Sequence, residues 1–176
     1  MRIIGLAGWS GAGKTTLLAR LIPALIARGL AVSTIKHAHH AFDLDQPGKD
    51  SHTHRAAGAT EVLVSSARRW ALMHELRGEA EPGLAELLRK LSPVDLVIVE
   101  GFKRGPHPKI EVYRAVVGKP PLHPDDRRIV AVASDAPLAA PLPVIPLDAI
   151  ERIVEVMLAH AVPVDDLTRD GGGGEA

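Results

Sequence analysis

An α/β fold, with a mainly parallel sheet flanked by helices and an antiparallel strand extension, follows from three features of the 176-residue chain. Short apolar runs alternate with helix-patterned segments at both ends. Residues 95–99 are apolar after one leading acid, the pattern of a strand buried on both faces. The middle of the chain carries several strand patterns and few helices, which is the source of the antiparallel extension.

Taken in order, residues 3–7 read as the first strand and 8–13 as a glycine-rich turn. Leu17, Leu18, Leu21, Ile22, Leu25 and Ile26 then line one broad face of a helix, with Gly29 as its stop. Pro23 lies within that pattern, either as a kink or near the first turns. Residues 31–35 read as a strand, 36–54 as a polar loop holding Pro47 and Gly48, and 51–58 as a short helix capped by Asp50 or Ser51. Strands at 61–65 and 70–76 flank a hairpin turn at 66–69. The helix expected at 82–91 has proline in its first turn. Two further strands, 109–114 and 129–134, enclose a loop at 118–128 rich in proline and charge. Val144 and Ile145 mark a last short strand. Asp148 is expected to cap a helix running to about Ala161, with Ile150, Ile153, Val154, Met157 and Leu158 on one face. One domain is expected, 1–162, with a disordered tail at 163–176 that ends in DGGGGEA.

Composition bounds the function. Hydrophobic residues at 46% suffice for one core, and with aromatics at only 3% that core is built from Ala, Val, Leu and Ile. The same poverty of rings argues against a platform that stacks single-stranded nucleic acid. Lys and Arg number 21, Asp and Glu 21, so no net field draws in nucleic acid or an anionic membrane. The absence of cysteine excludes disulfides, thiolate metal sites and a cysteine nucleophile. No apolar run approaches a span of about 20 residues. The opening MRIIGLAG has neither a signal-type apolar region nor a cleavage site, so a cytoplasmic protein without a membrane or nucleic-acid partner is expected.

The chemistry is carried by Gly8-Trp9-Ser10-Gly11-Ala12-Gly13-Lys14-Thr15, which matches G-x-x-x-x-G-K-[ST] between an expected strand and an expected helix. A chance match in a chain of this length is roughly one in a few hundred. The physics is that of a phosphate cradle: glycines permit a tight turn with inward N–H groups, and the helix adds its positive end. The fold class is therefore P-loop NTPase-like. Gly8, Ser10, Gly11, Ala12 and Gly13 are candidates to surround phosphate, Lys14 to reach the β- and γ-phosphates, and Thr16 to meet the α-phosphate. Thr15 is a candidate ligand of Mg²⁺. A second metal ligand is expected at the end of an apolar strand, and Glu100 follows such a run directly. Asp95 opens the same run and should lie about 15 Å away at the opposite edge, so the choice falls on Glu100.

Two regions admit more than one reading. His37, His39, His40, His52 and His54 lie near Asp43, Asp45 and Asp50, which reads either as a Zn²⁺ or Ni²⁺ site or as a solvated polar loop that contacts a ligand. No spacing among them matches a defined metal motif. Lys36, ending the second strand at the phosphate-loop edge, reads as a ligand contact or as a surface charge, and so do Lys49 and Arg55.

Several blocks together resemble the MobB family, the molybdopterin-guanine dinucleotide biosynthesis adaptor proteins. They are the Gly-Trp-Ser-Gly-Ala-Gly-Lys-Thr-Thr loop, Lys36-His37-Ala-His39-His40, Phe42-Asp43-x-Asp45-x-Pro47-Gly48-Lys49-Asp50-Ser51, His54-Arg55-Ala-Ala-Gly58-Ala, Val99-Glu100-Gly101-Phe102-Lys103 and Pro108-Lys109-Ile110-Glu111. They run in order through roughly residues 1 to 160. The resemblance implies a GTP-binding accessory protein with weak or slow hydrolysis. With the Mg²⁺ expected from the phosphate-loop motif, it implies molybdopterin or its guanine dinucleotide as a possible bound cofactor, and Lys36 and the histidine loop, His37 included, would face that cofactor or the partner enzyme. It also implies a homodimer, formed through strands around 61–76 and 109–114. The implied partner is MobA, the guanylyltransferase that joins GMP to molybdopterin, along with molybdoenzyme maturation factors. An Asn-Lys-x-Asp guanine motif is absent. The nearest candidate is Asp135 after the strand at 129–134, read either as an acceptor for guanine N1 and N2 or as a turn aspartate before Pro137. Two rivals remain: a metallochaperone-type GTPase that uses the histidines for Ni or Zn, and a small-molecule kinase with Arg68, Arg69, Arg127 and Arg128 as a lid.

Overall fold

The computed structural model describes residues 1–38 and 42–169, which fall into two compact units: 1–37 with 84 onward, and 38–83. His39 and His40, and the glycine run of the tail, lie outside the described residues. In chain order the elements are β1 (Arg2–Ala7), α1 (Lys14–Ala27), β2 (Val32–Lys36), α2 (Asp50–Ala56), β3 (Glu61–Ser65), β4 (Trp70–His74), α3 (Leu84–Lys90), β5 (Leu96–Glu100), β6 (Lys109–Tyr113), a 3-10 turn at Ala115–Val117, β7 (Ile129–Ser134), β8 (Val144–Pro146), α4 (Ile150–His160), β9 (Val162–Pro163) and α5 (Val164–Arg169).

The first unit is built on a sheet in the order β2-β5-β1-β6-β7-β8, parallel throughout, with β9 running antiparallel on β1. Alternating side chains of the apolar strands point to opposite faces, so each face acquires its own core. On one face Ile4, Leu6, Ile98, Ile110 and Val112 meet Leu17, Leu21 and Leu25 of α1 and Ile153, Val154 and Met157 of α4. On the other, Ile3, Val97 and Val99 meet Leu84 and Leu88 of α3 and Val164. Fully burying one such side chain contributes about 2 kcal/mol. Parallel strands all end at one edge, which collects the segments following Ala7, Lys36, Glu100, Tyr113 and Ser134. That edge is where open α/β sheets bind ligands.

Three expectations need correction. The strand at 109–114 is no part of an antiparallel extension: β6 is parallel, lies between β1 and β7, and is buried, so it offers no free edge to a second copy. Residues 164–169, expected in the tail, form α5, because Val164 is buried in the second core and its N–H bonds to the carbonyl of Met1. Neither Asp148 nor Asp50 nor Ser51 caps a helix through its side chain: α4 follows Ala149, α2 follows Lys49, and the Ser51 hydroxyl donates to Asp45 instead. Of the two positions open to Pro23, the one observed is the interior of α1.

Where β6 crosses the second face, the buried side chains are polar. Lys109 Nζ donates to the carbonyl of Gly105 (2.8 Å) and to Asp126 (2.9 Å). Glu111 accepts the N–H groups of Leu122 (2.6 Å) and His123 (3.0 Å) and pairs with the His123 ring. These pairs fix the loop 118–128 across β6. His107 is fully buried against the bare backbone of Gly5, with neither ring nitrogen hydrogen-bonded among the described residues. Burial, reinforced by the charge of Lys109, pushes its imidazole down to about 4. A folded-state value below the unfolded one means that the unfolded chain takes up the proton first, so stability falls as pH drops from about 6.5 toward 4. The expected loss between pH 7 and pH 5 is about 2 kcal/mol. Urea denaturation at both pH values checks this, and His107→Phe should remove that part of the difference.

In the second unit β3 and β4 form the expected hairpin, with Leu63 opposite Leu72 and Ser65 opposite Trp70. One face carries Val62, which is buried. The other face carries Leu63, Trp70 and Leu72, all exposed. Arg55 gathers Asp43 (2.8 Å), Glu75 (2.9 Å) and Asp45 (3.4 Å) around α2.

Candidate functional site

The glycine-rich segment links the end of β1 to the start of α1, as its pattern requires. Gly8 has φ +148°, and a Cβ there would lie 2.5 Å from the carbonyl oxygen of Val112, so only glycine lets the loop pass this close to β6. Lys14 opens α1, and its ammonium folds back to donate to the loop carbonyls of Gly8 (2.9 Å) and Trp9 (3.0 Å). Burial lowers its pKa. The Glu100 carboxylate opposes that, and the charges of Lys103 and Lys36 add to it. Ser10, Gly11, Thr15 and Thr16 are exposed around the loop, while Ala12 is buried beneath it.

Glu100 ends β5 next to β1 and is nearly buried. Its Oε1 accepts the hydroxyl of Thr15 at 3.0 Å. A hydroxyl and a carboxylate side by side are hard oxygen donors of the kind Mg²⁺ takes, so the pair fits that ion. Asp95 lies at the other end of the strand, where its carboxylate accepts the N–H of Ala31 at 2.8 Å. It is occupied there and far from the loop.

Lys36 lies opposite Glu100 in the β2–β5 register and is exposed. His37 follows it, with its N–H on the carbonyl of Glu100 (2.8 Å) and its ring against Phe102 at 4.6 Å. Asp135, just beyond β7, reaches the same edge. Its carboxylate accepts Arg114 Nε at 2.8 Å, and the Arg114 side chain passes 3.9 Å from where a Cβ on Gly13 would sit. Asp135 is therefore held by an arginine that lies near the phosphate loop and that pattern reading did not single out.

Trp9, Lys103 and Lys119 are further residues whose position the sequence patterns missed. The Trp9 indole N–H donates to the carbonyl of Pro120 at 2.8 Å, and the ammonium groups of Lys103 and Lys119 lie 4.4 and 6.0 Å from its ring centroid. A glycine directly after a strand-end acid was the available signal for Lys103.

The metal reading of the polar loop gains nothing here. Among the described residues no group of three or more His, Asp or Glu side chains is arranged to hold an ion. Asp43 and Asp45 are taken up by Arg55, whose hydrogen bonds are the main cause of the lowered Asp43 pKa. Arg68, Arg69, Arg127 and Arg128, the suggested kinase lid, are all exposed.

A parallel sheet with a phosphate loop after its first strand, and a Thr–Glu pair beside that loop, defines a P-loop NTPase-like protein. Comparison with known proteins narrows the class. The family model described as molybdopterin guanine dinucleotide synthesis protein B, MobB, matches residues 3–135. The molybdopterin-guanine dinucleotide biosynthesis adapter protein of Escherichia coli strain K12 is 43% identical over 159 residues, covering 89% of this chain and 91% of its own. That of Haemophilus influenzae is 40% identical over 153 residues, covering 87% and 85%. A crystal structure of molybdopterin-guanine biosynthesis protein B superposes with a TM-score of 0.71 at 31% identity, over 89% of this chain and 98% of that one. The chain belongs to the MobB family.

Proposed function

We propose that this chain is an adapter in the synthesis of the molybdopterin-guanine dinucleotide cofactor, binding GTP with Mg²⁺ and hydrolysing it slowly at most. The observation that carries the nucleotide reading is the Thr15–Glu100 contact at 3.0 Å beside Lys14. The names of the relatives support the pathway. In this reading Gly8 and Ser10 to Thr16 surround the phosphates, and Thr15 and Glu100 hold the ion. Asp135, oriented by Arg114, accepts hydrogen bonds from the guanine edge. Lys36 and His37 face molybdopterin, its guanine dinucleotide or a partner enzyme. The protein partner is a MobA-like guanylyltransferase, with molybdoenzyme maturation factors as further candidates. No helix is long and apolar enough to cross a membrane among the described residues, and a cytoplasmic setting suits a nucleotide-dependent step.

Calorimetric titration of Mg·GTP and Mg·ATP tests the reading. The expected result is preference for GTP, lost in Asp135→Asn, with binding strongly weakened by Lys14→Ala. Equal or stronger ATP binding in the wild type would overturn the guanine assignment.

The hairpin is the proposed homodimer surface. Leu63, Trp70 and Leu72 share one exposed face there, an apolar patch that a monomer would leave in water. Light scattering is expected to find a dimer that Leu72→Glu converts to monomer. An unchanged mass would remove the hairpin from the interface.

A further inference from the structure

The phosphate loop is bordered by a second cationic group that Lys14 chemistry does not use. After Glu100 the chain takes two successive left-handed residues, Gly101 at φ +98° and Phe102 at φ +44°. A left-handed phenylalanine is strained, and such strain persists only where its surroundings over-determine it. Here the Phe102 ring packs on His37, and a Cβ on Gly101 would lie 2.8 Å from that of His37. The turn sends Lys103 back toward the loop, with its ammonium 4.4 Å from the Trp9 ring centroid.

Lys119 reaches the same ring from a different segment. Its position is also built. Pro120 accepts the Trp9 indole N–H, and the buried Glu111 carboxylate holds the backbone of Leu122 and His123 just beyond. Two ammonium groups drawn to one indole repel each other, and Lys103 also raises the positive potential at Lys14. Among the described residues neither Lys103 nor Lys119 forms an ion pair with a carboxylate. The charge that would balance this corner is an anion.

We infer that Lys103 and Lys119, held on the Trp9 ring, form a second anion subsite that takes a phosphate group alongside Lys14. This rests on the nucleotide-binding reading above. The group has two sources: the terminal phosphate of the nucleotide, or the phosphate of a second ligand seated beside it.

Calorimetry separates them, with Mg·GDP, a non-hydrolysable Mg·GTP analogue, and pyrophosphate added to GDP-loaded or nucleotide-free protein. If the nucleotide supplies the phosphate, Lys103→Ala and Lys119→Ala each weaken the GTP analogue about tenfold and leave GDP unchanged. If a second ligand supplies it, both nucleotides bind the variants normally, and pyrophosphate binding to the GDP-loaded protein is lost. In either case Trp9 fluorescence, read in a Trp70→Phe background, responds to the added phosphate, and Lys103→Arg retains binding. Wild-type affinities for all three probes in both variants would overturn the subsite while leaving the nucleotide reading intact. Absence of nucleotide binding by the wild type, with pyrophosphate still held through Lys103, would overturn the nucleotide reading alone. Binding of no probe by the wild type would overturn both.

Discussion

Lys14→Ala is expected to weaken Mg·GTP binding by about 100-fold or more, with little effect on folding. Charge-assisted hydrogen bonds each contribute about 1.5–3 kcal/mol, and a lysine at this place makes two to a polyphosphate, so the loss is about 3 kcal/mol at the low end. The geometry supports that figure. The ammonium is half-buried and already held over the loop by the carbonyls of Gly8 and Trp9, so little ordering remains to be done when phosphate arrives. It is also poorly compensated. Burial depresses its pKa, and Lys103 and Lys36 act in the same direction, while Glu100 alone opposes them. A phosphate oxygen relieves that imbalance, and alanine removes the reason for it to bind. The helix should survive, because Lys14 is the first residue of α1 and alanine is the best helix former. Calorimetry and a thermal melt of the same sample separate the two effects. Undiminished GTP affinity in a folded Lys14→Ala protein would sink the phosphate-loop reading.

What was legible in the sequence was whatever depends on neighbours along the chain. The loop from Gly8 to Thr15 and the apolar run before Glu100 are local patterns, and the parallel sheet places them side by side, with Thr15 on Glu100. The hairpin at Glu61–Ser65 and Trp70–His74 was legible for the same reason. Strand direction was not. The charged residues at Lys109 and Glu111 make β6 look like a half-exposed strand, yet both side chains are buried and satisfied by Asp126 and by the 122–123 backbone. Those partners come from a loop whose path no periodicity records. Lys103 was missed because its place depends on a left-handed Phe102, and no propensity favours that conformation. Arg114 was missed because its role depends on Asp135, twenty-one positions further along and on the neighbouring strand's end.

The same buried layer gives the largest expected change in stability. Asp126→Ala should destabilise the protein by about 3 kcal/mol. Lys109 has no exposed surface, and its ammonium has two partners, the Gly105 carbonyl and Asp126. Removing one member of a buried pair leaves an uncompensated charge, which typically costs about 3–5 kcal/mol. The lower end applies for two reasons. Asp126 keeps some solvent exposure, and burial already lowers the Lys109 pKa, with Asp126 the main influence against it, so the orphaned lysine can shed its proton. In a chain of this size the loss corresponds to a fall in melting temperature of about 6–12 °C. Replacing both members, Lys109→Met with Asp126→Leu, removes the desolvated charge as well and should recover most of the stability. The double variant also separates fold from function. If Asp126 matters only as a counter-ion, restoring the melting temperature restores nucleotide binding with it. If the pair holds the 118–128 loop in register, then Pro120 and Lys119 lose their place against Trp9, and the stable double variant still behaves like Lys119→Ala toward phosphate. Because loop 118–128 is pinned to β6 at both Asp126 and Glu111, the second outcome requires that one anchor alone be insufficient. Glu111→Gln, which keeps the volume but weakens the grip on Leu122 and His123, is the complementary measurement.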